Sequence, residues 1–547
     1  MKLAFFTLLL LTLETAHSQD TLSIKDIPPA ERVIGLDFKP AERDSLFDDL
    51  KANRLEYAKM RKLPLNNNVP LSGWQSPRLP GMKFTEKQRN LSWNISSTAV
   101  LPANRNDLAF YSILQLAALV KNKKISSVEL TRFFIDRLKK FGDTLQCVIS
   151  LTEDIAMAQA AQADKEIAAG KYRGPLHGIP YGLKDLFAVK GTRTTWGAAP
   201  FKDQVIDEDA FVYTKLKEAG AVLVAKFTLG ALAMGDYWYG GRTKNPWNLK
   251  RGSSGSSAGS TAATVAGLVP FAIGTETYGS IISPSTTCGA TGLRPTFGSI
   301  SRSGAMALSY SLDKIGPICR SAEDAAVVFN FIHGTDGLDQ CAVEIPFNYS
   351  GKCDWSTLKI AYARKYFEQG DTMGNERNVL DIYRKMGAQL VAIDFPDSTV
   401  YNFDIMGIII GAECAAQFDE FTRSGMEDQL TRQGKGDWPN QFRASRFIPA
   451  VEYINACRHR YLLMKKVDEV VGKYDAFICP TWAGNQAAIT NLTGHPAICF
   501  PTGVNKSNLP TSITIIGKLY GEATLLAIVK AFQDATGFNK LHPDLFR

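Results

Sequence analysis

The chain has 547 residues, of which 45% are hydrophobic and 21% charged, an ordinary globular composition with material for a large core. The formal net charge is +8. Its densest basic clusters, Lys121 to Lys124 and Arg458 to Lys466, fall in amphipathic helical segments and read as solvated faces. That excludes a nucleic-acid-binding protein as the first reading.

The first residues read as a signal peptide. Met1-Lys2 supplies a short positive region, Leu3 to Leu13 an apolar run too short to span a bilayer, and Ala16-His17-Ser18 a small-x-small site. Cleavage is expected after Ser18, which implies a secreted or periplasmic protein, with the periplasm preferred. No later stretch is long and apolar enough for a stable membrane span.

Residues 19–108 form a polar, Pro-rich N-terminal extension with one helical pattern, Glu42 to Arg61. Denser sequence follows from 109 to 547. "SILQLAALVKNKKISSVELTRFFIDRLKKF" carries apolar residues at helical spacing, with Ser127 expected to cap the second helix. "EDIAMAQAAQADKEIAAG" reads as an Ala-rich helix stopped by Gly170. "GIPYGLKDLF" and "GAVLVAKFTL" read as strands around the helix "AFVYTKLKEAG". The alternation continues through "YDAFICPT" and "TSITIIGKLYG" to a closing helix, "EATLLAIVKAFQDATG". This is an α/β pattern without internal repeats.

Nine cysteines are spread without a CxxC pair, so neither a disulfide framework nor a zinc site is indicated. Cys341 and Cys353, in a loop-like stretch, are the one candidate pair. Five N-x-S/T sites occur, among them Asn491 inside "NLTGHPA".

The Gly/Ser-rich run "GSSGSSAGSTAATVAGLVPFAIGTETYGSI", Gly252 to Ile281, offers several serines as nucleophiles. A serine hydroxyl needs a base to take its proton and an oxyanion hole to receive the charge. Gly255-Ser256-Ser257-Ala258-Gly259 matches the hydrolase elbow pattern, but "KNPWNLKRGSS" before it reads as coil and no histidine follows in a triad setting. Ser356-Thr357-Leu358-Lys359 matches SxxK without the accompanying loops. A third arrangement fits better. Lys184 in "PLHGIPYGLKDLF" lies among apolar residues, where burial disfavours the charged form and leaves an amine able to act as a base. Ser280 follows "GTETYG", where successive backbone N–H groups can converge on an oxyanion.

These stretches resemble the amidase signature family. The likeness runs from about Asp107 to Gly537. It includes "GPLHGIPYGLKDLFAVKGTRTTWGA", "GSISRSGAM", "SLDKIGPICRSAEDAA" and "DAFICPTWAG", and the family's two serines stand 24 positions apart here as Ser256 and Ser280. The resemblance implies a single α/β domain, a twisted mixed sheet surrounded by helices. It assigns Ser280 as nucleophile, Ser256 after a cis peptide bond as the bridging serine, and Lys184 as base. The backbone N–H groups of Thr277, Tyr278, Gly279 and Ser280 would form the oxyanion hole, with Ser257 in support. Ser253, Ser254 and Ser260 are left as loop residues bonding to backbone. Two positions depart from the family pattern: Tyr278 replaces the usual Gly and Ile282 the usual Arg. Substrate shape is therefore open, with Tyr237, Trp238 and Tyr239 nearby in sequence.

The expected activity is hydrolysis of a small-molecule carboxamide through a serine ester, releasing ammonia or an amine, with no cofactor and no metal. Ester hydrolysis is an expected side activity. The alternative is the glutaminase subunit of a tRNA-dependent amidotransferase, against which the signal peptide speaks. A non-catalytic binding protein on the same fold would be expected to lack Lys184, Ser256 or Ser280.

Overall fold

The computed structural model describes residues 22–62, 67, 69, 75–84, 86–368, 374–396 and 405–547; the expected signal peptide lies outside them. The chain divides into two compact units between Asn66 and Asn67. The first contains helices Ile27–Ile34 and Pro40–Met60, tied together by Arg43 on the buried carboxylate of Glu31 at 2.7 Å.

Among the described residues the larger unit is built on one eleven-stranded mixed sheet. Its strands begin with β1 (Val148–Leu151), β2 (Pro180–Lys184) and β3 (Val222–Phe227). Two short ribbons follow, β4 (Tyr237–Trp238) with β5 (Gly241–Arg242), and β6 (Lys244–Asn245) with β7 (Asn248–Gly252). The sheet resumes with β8 (Ala272–Glu276), β9 (Thr291–Arg294), β10 (Lys314–Cys319), β11 (Ile360–Ala363) and β12 (Leu390–Ile393), and ends with β13 (Ala476–Cys479), β14 (Ala497–Val504) and β15 (Pro510–Gly517). The order is β1-β3-β2-β8-β10-β9-β14-β15-β13-β11-β12. β3, β2 and β8 run parallel, β8 through β13 pair antiparallel, and β13, β11 and β12 are parallel again. Every residue of β2, β3 and β15 is buried, as strands covered on both faces must be. Helices supply the cover, with Ala322–Ile332 packed on Glu522–Thr536 and Ser127–Leu145 on Glu153–Ala168.

Four local expectations change. The helix cap is Ser126, one residue before Ser127. Its Oγ accepts the Glu129 N–H while the Glu129 carboxylate accepts the Ser126 N–H, a reciprocal box that Ser127 could not form. The segment before the Gly/Ser run is the β6–β7 ribbon rather than coil, held by Asn245 on the Trp247 N–H at 2.9 Å and outside the main sheet. Cys341 and Cys353 are both free thiols. Within the cluster Arg458 to Lys466, Arg460 points inward: its guanidinium donates to the Leu492 carbonyl and to Ser311. Gly170 does end its helix, at a φ of 81°.

Candidate active site

β2 and β8 are parallel neighbours, with Gly182 beside Ala272 and Leu183 beside Ile273. Their carboxyl ends therefore emerge side by side, the usual place for chemistry in an open α/β sheet. β2 ends on Lys184, and β8 runs into the turn Thr277 to Ser280.

The Gly/Ser run crosses in front of these strand ends and enters helix Ala258–Val265. Gly255 makes the crossing possible, because a Cβ there would sit 1.9 Å from the Gly235 carbonyl oxygen. The Gly255–Ser256 peptide bond is cis, as the resemblance implies. Ser257 docks the run through three bonds. The Ser257 N–H donates to the Ser280 carbonyl at 3.1 Å. Ser257 Oγ donates to the Thr275 carbonyl at 3.1 Å and accepts the Thr275 N–H at 3.2 Å. Ser253 and Ser260 bond to backbone carbonyls, whereas Ser254 Oγ pairs with Ser283 Oγ at 2.7 Å.

Lys184 is wholly buried, and its Nζ lies 2.7 Å from Ser256 Oγ and 2.8 Å from Thr275 Oγ1. Burial pushes the Lys184 ammonium down to about 7, although the carboxylates of Asp313 and Glu276 pull the other way. The amine is thus substantially neutral near neutral pH, with a serine hydroxyl in contact. Ser256 is 1% and Ser280 8% exposed, so Ser280 is the one nearer to solvent.

The turn carrying Ser280 is held from below by Glu276. One carboxylate oxygen accepts the N–H groups of Ile281 and Ile282, each at 2.9 Å, at the start of helix Ile282–Cys288. The other accepts Arg294 at 2.8 Å and Asn491 Nδ2 at 3.0 Å. Burial alone would raise this carboxyl, but the Arg294 guanidinium holds it down to about 2. From the side, Thr277 Oγ1 donates to Asp313 at 2.5 Å, and the same carboxylate accepts the N–H groups of Leu308 and Ser309. The N–H groups of Thr277, Tyr278, Gly279 and Ser280 donate to no acceptor among the described residues. Gly279 adopts a φ of 90°, a conformation costly for any residue with a Cβ.

The two departures from the family pattern behave differently. Ile282 is buried in an apolar cluster with Ile489 and Leu492, where a guanidinium would lack water. Tyr278 is 49% exposed in the Ser280 turn. Tyr237, Trp238 and Tyr239 are half-buried on or beside the β4–β5 ribbon. The rejected serine arrangements stay apart from this chemistry. Ser257 Oγ is committed to Thr275, Ser356 Oγ bonds Asp354 at the surface, and no described histidine bonds either Ser256, Ser257 or Ser280.

Sequence reading missed Thr275, Glu276, Arg294, Asp313 and Asn491. Thr275 and Glu276 lie inside "GTETYGS" and Asp313 inside "SLDKIGP", so the segments were conspicuous. Their roles were not, because each acts through a partner distant in the chain. Asn491 is fully buried against Glu276, which leaves no room for a glycan.

A cavity of about 360 Å³ adjoins this constellation, with Thr275, Thr277 and Lys314 among its lining residues.

Residues 129–489 match the family model described as Amidase. Among curated relatives, a glutamyl-tRNA(Gln) amidotransferase subunit from Carboxydothermus hydrogenoformans is 31% identical over 487 residues, covering 80% of this chain and 100% of its own. The protein of the same name from Geobacillus kaustophilus is 33% identical over 482 residues, 80% and 99% of the two chains. Among solved structures, the peptide amidase of Stenotrophomonas maltophilia superposes with a TM-score of 0.70 at 26% identity, covering 79% and 98%. The glutamyl-tRNA(Gln) amidotransferase subunit from Thermotoga maritima gives 0.66 at 26% identity, covering 80% and 98%.

Proposed function

The chain belongs to the amidase family, and from that premise and the geometry of its site we propose that it cleaves a carboxamide C–N bond through an ester of Ser280. Ser280 Oγ attacks the amide carbon as its proton passes to Ser256 and the Ser256 proton passes to Lys184 Nζ. The N–H groups of Thr277 to Ser280 receive the oxyanion. Return of the proton through Ser256 expels ammonia or an amine, and water then hydrolyses the ester by the same relay. The single observation that carries this reading is Lys184 Nζ at 2.7 Å from Ser256 Oγ in a fully buried setting. Ser257 supports the loop through Thr275. The test is ammonia release from primary amides by the purified protein and by its Lys184→Ala, Ser256→Ala and Ser280→Ala variants.

A second reading, an amidotransferase component that draws ammonia from glutamine, is favoured by the names of the curated relatives. Those names support it better than they support an exported amidase. Export rests on the signal-peptide pattern of residues 1–18 alone. N-terminal sequencing separates the two: Gln19 first supports export, and an intact Met1 supports the amidotransferase component. Ammonia release from glutamine that depends on added partner subunits would also support the latter. Among the described residues no helix is long and apolar enough to cross a membrane.

A further inference from the structure

The cavity beside the Ser280 turn is lined in part by Thr277 and by Thr275, the hydroxyl partner of Lys184, though not by Lys184, Ser256 or Ser280 themselves. Its lining also includes Leu338, which is 70% exposed, and the partly exposed Glu208, where it opens to the surface. Its wall is largely apolar, with Leu186, Met306 and Ile315 among its residues, as a site for a small organic group should be. Most of its charged groups are already committed. Arg302 is engaged by Asp339, with Nε to Oδ2 at 2.7 Å and Nη2 to Oδ1 at 2.8 Å, and its Nη1 donates to the Tyr310 carbonyl at 2.6 Å. Asp313 already accepts the Thr277 hydroxyl and two backbone N–H groups. Lys314 is buried with its Nζ on the Leu312 carbonyl, and burial beside Arg294 drives the amine well below the ordinary lysine range. Glu208 alone of these charges has no hydrogen-bond or ion-pair partner among the described residues.

We propose that this cavity receives the acyl part of the amide, that it admits neutral and cationic acyl groups and rejects anionic ones, and that Glu208 at its mouth is the counter-charge for a cationic end. A carboxylate entering it would lose its water and find no free cation, whereas an ammonium would find Glu208. The inference rests on the amidase reading above. It also makes glutamine, which brings an α-carboxylate, a poor fit.

The experiment compares kcat/KM for hexanamide, for the hexanamide bearing an amine at its far end, for the monoamide of adipic acid and for glutamine. Calorimetric binding of the same four to the Ser280→Ala protein runs alongside. The amino amide should rank at or above hexanamide, and both should exceed the two carboxylates by about tenfold or more. Glu208→Gln should lower the ratio of amino amide to hexanamide by about fivefold, and Glu208→Lys should invert the order of cation and anion. Preference for glutamine or the adipic monoamide, or an unchanged ratio in Glu208→Gln, overturns the proposal. If binding follows the expected order but the wild type releases ammonia from none of the four, the cavity assignment stands and the serine-ester reading fails. Turnover that is blind to acyl charge gives the converse.

Discussion

The carboxylate of Glu276 and the guanidinium of Arg294 meet at 2.8 Å with both side chains withdrawn from water, at 0% and 2% exposure. Glu276 is the last residue of β8 and Arg294 the last of β9, so the pair locks the floor of the Ser280 turn to the sheet. Removing one partner leaves a buried charge uncompensated. Glu276→Ala should destabilise the protein by about 3–5 kcal/mol and lower kcat more than it raises KM, because the turn that presents Ser280 loses its anchor. Urea unfolding and steady-state kinetics on one preparation check both. A loss confined to KM would show that Glu276 does not position the nucleophile.

Ser280→Ala should reduce amide turnover by at least about 10⁴-fold while the protein stays folded, because the proposed ester forms on Ser280. Mass spectrometry after treatment with a fluorophosphonate should find the label on Ser280. A label on Ser257 would return attention to the elbow pattern, against the two bonds that tie Ser257 Oγ to Thr275.

Lys184 must be neutral to accept a proton. With its ammonium pushed down to about 7, kcat/KM should rise with pH through that region and level off above it. Lys184→Ala should cost about 10²–10⁴-fold and flatten the rise. Amides should suffer more than esters, since an amine leaving group needs the returned proton and an alkoxide needs it less. Near-normal amidase activity with an unchanged pH profile would remove Lys184 from the relay.

The same burial affects stability. The folded value is about 7 against an ordinary 10.5, so between the two the unfolded chain holds a proton that the native chain lacks. Stability should therefore rise with pH across that window, with the penalty for Lys184 complete below it and absent above it. Lys184→Met should remove this part of the slope, seen as a smaller difference in urea midpoint between about pH 7 and about pH 10. An identical pH dependence in the variant would mean that Lys184 is not desolvated as the fold implies.

Tyr278 stands half-exposed next to Thr277, which lines the cavity, but is not itself in that lining. If the cavity takes the acyl group, the ring is expected to face the departing amine. Tyr278→Gly should lower the ratio of kcat/KM for an N-benzyl amide over the matching primary amide by about threefold to tenfold. An unchanged ratio would place the ring away from the leaving group.

The chain order of strands and helices was legible because periodicity is local: "GIPYGLKDLF" contains β2, "GAVLVAKFTL" contains β3, and "EATLLAIVKAFQDATG" contains the closing helix. Lys184, Ser256 and Ser280 were singled out by resemblance, because each sits in a short segment that matches the amidase signature pattern. Boundaries were less secure. Ser126 and Ser127 are both good capping residues, and only the reach of Glu129 decides between them. The shared floor of the site was not legible at all. Glu276, Arg294 and Asn491 span more than two hundred residues of sequence yet share one buried carboxylate, and Asp313 meets Thr277 only because β10 pairs with β8. Burial works the same way. Sequence placed Lys184 among apolar neighbours, but the lowered affinity for its proton comes from the whole of the fold closing over it. What the sequence by itself determined was the order of the local elements and the segments that carry Lys184, Ser256 and Ser280; strand pairing and desolvation, properties of residues far apart in the chain, decided how these groups are held and charged.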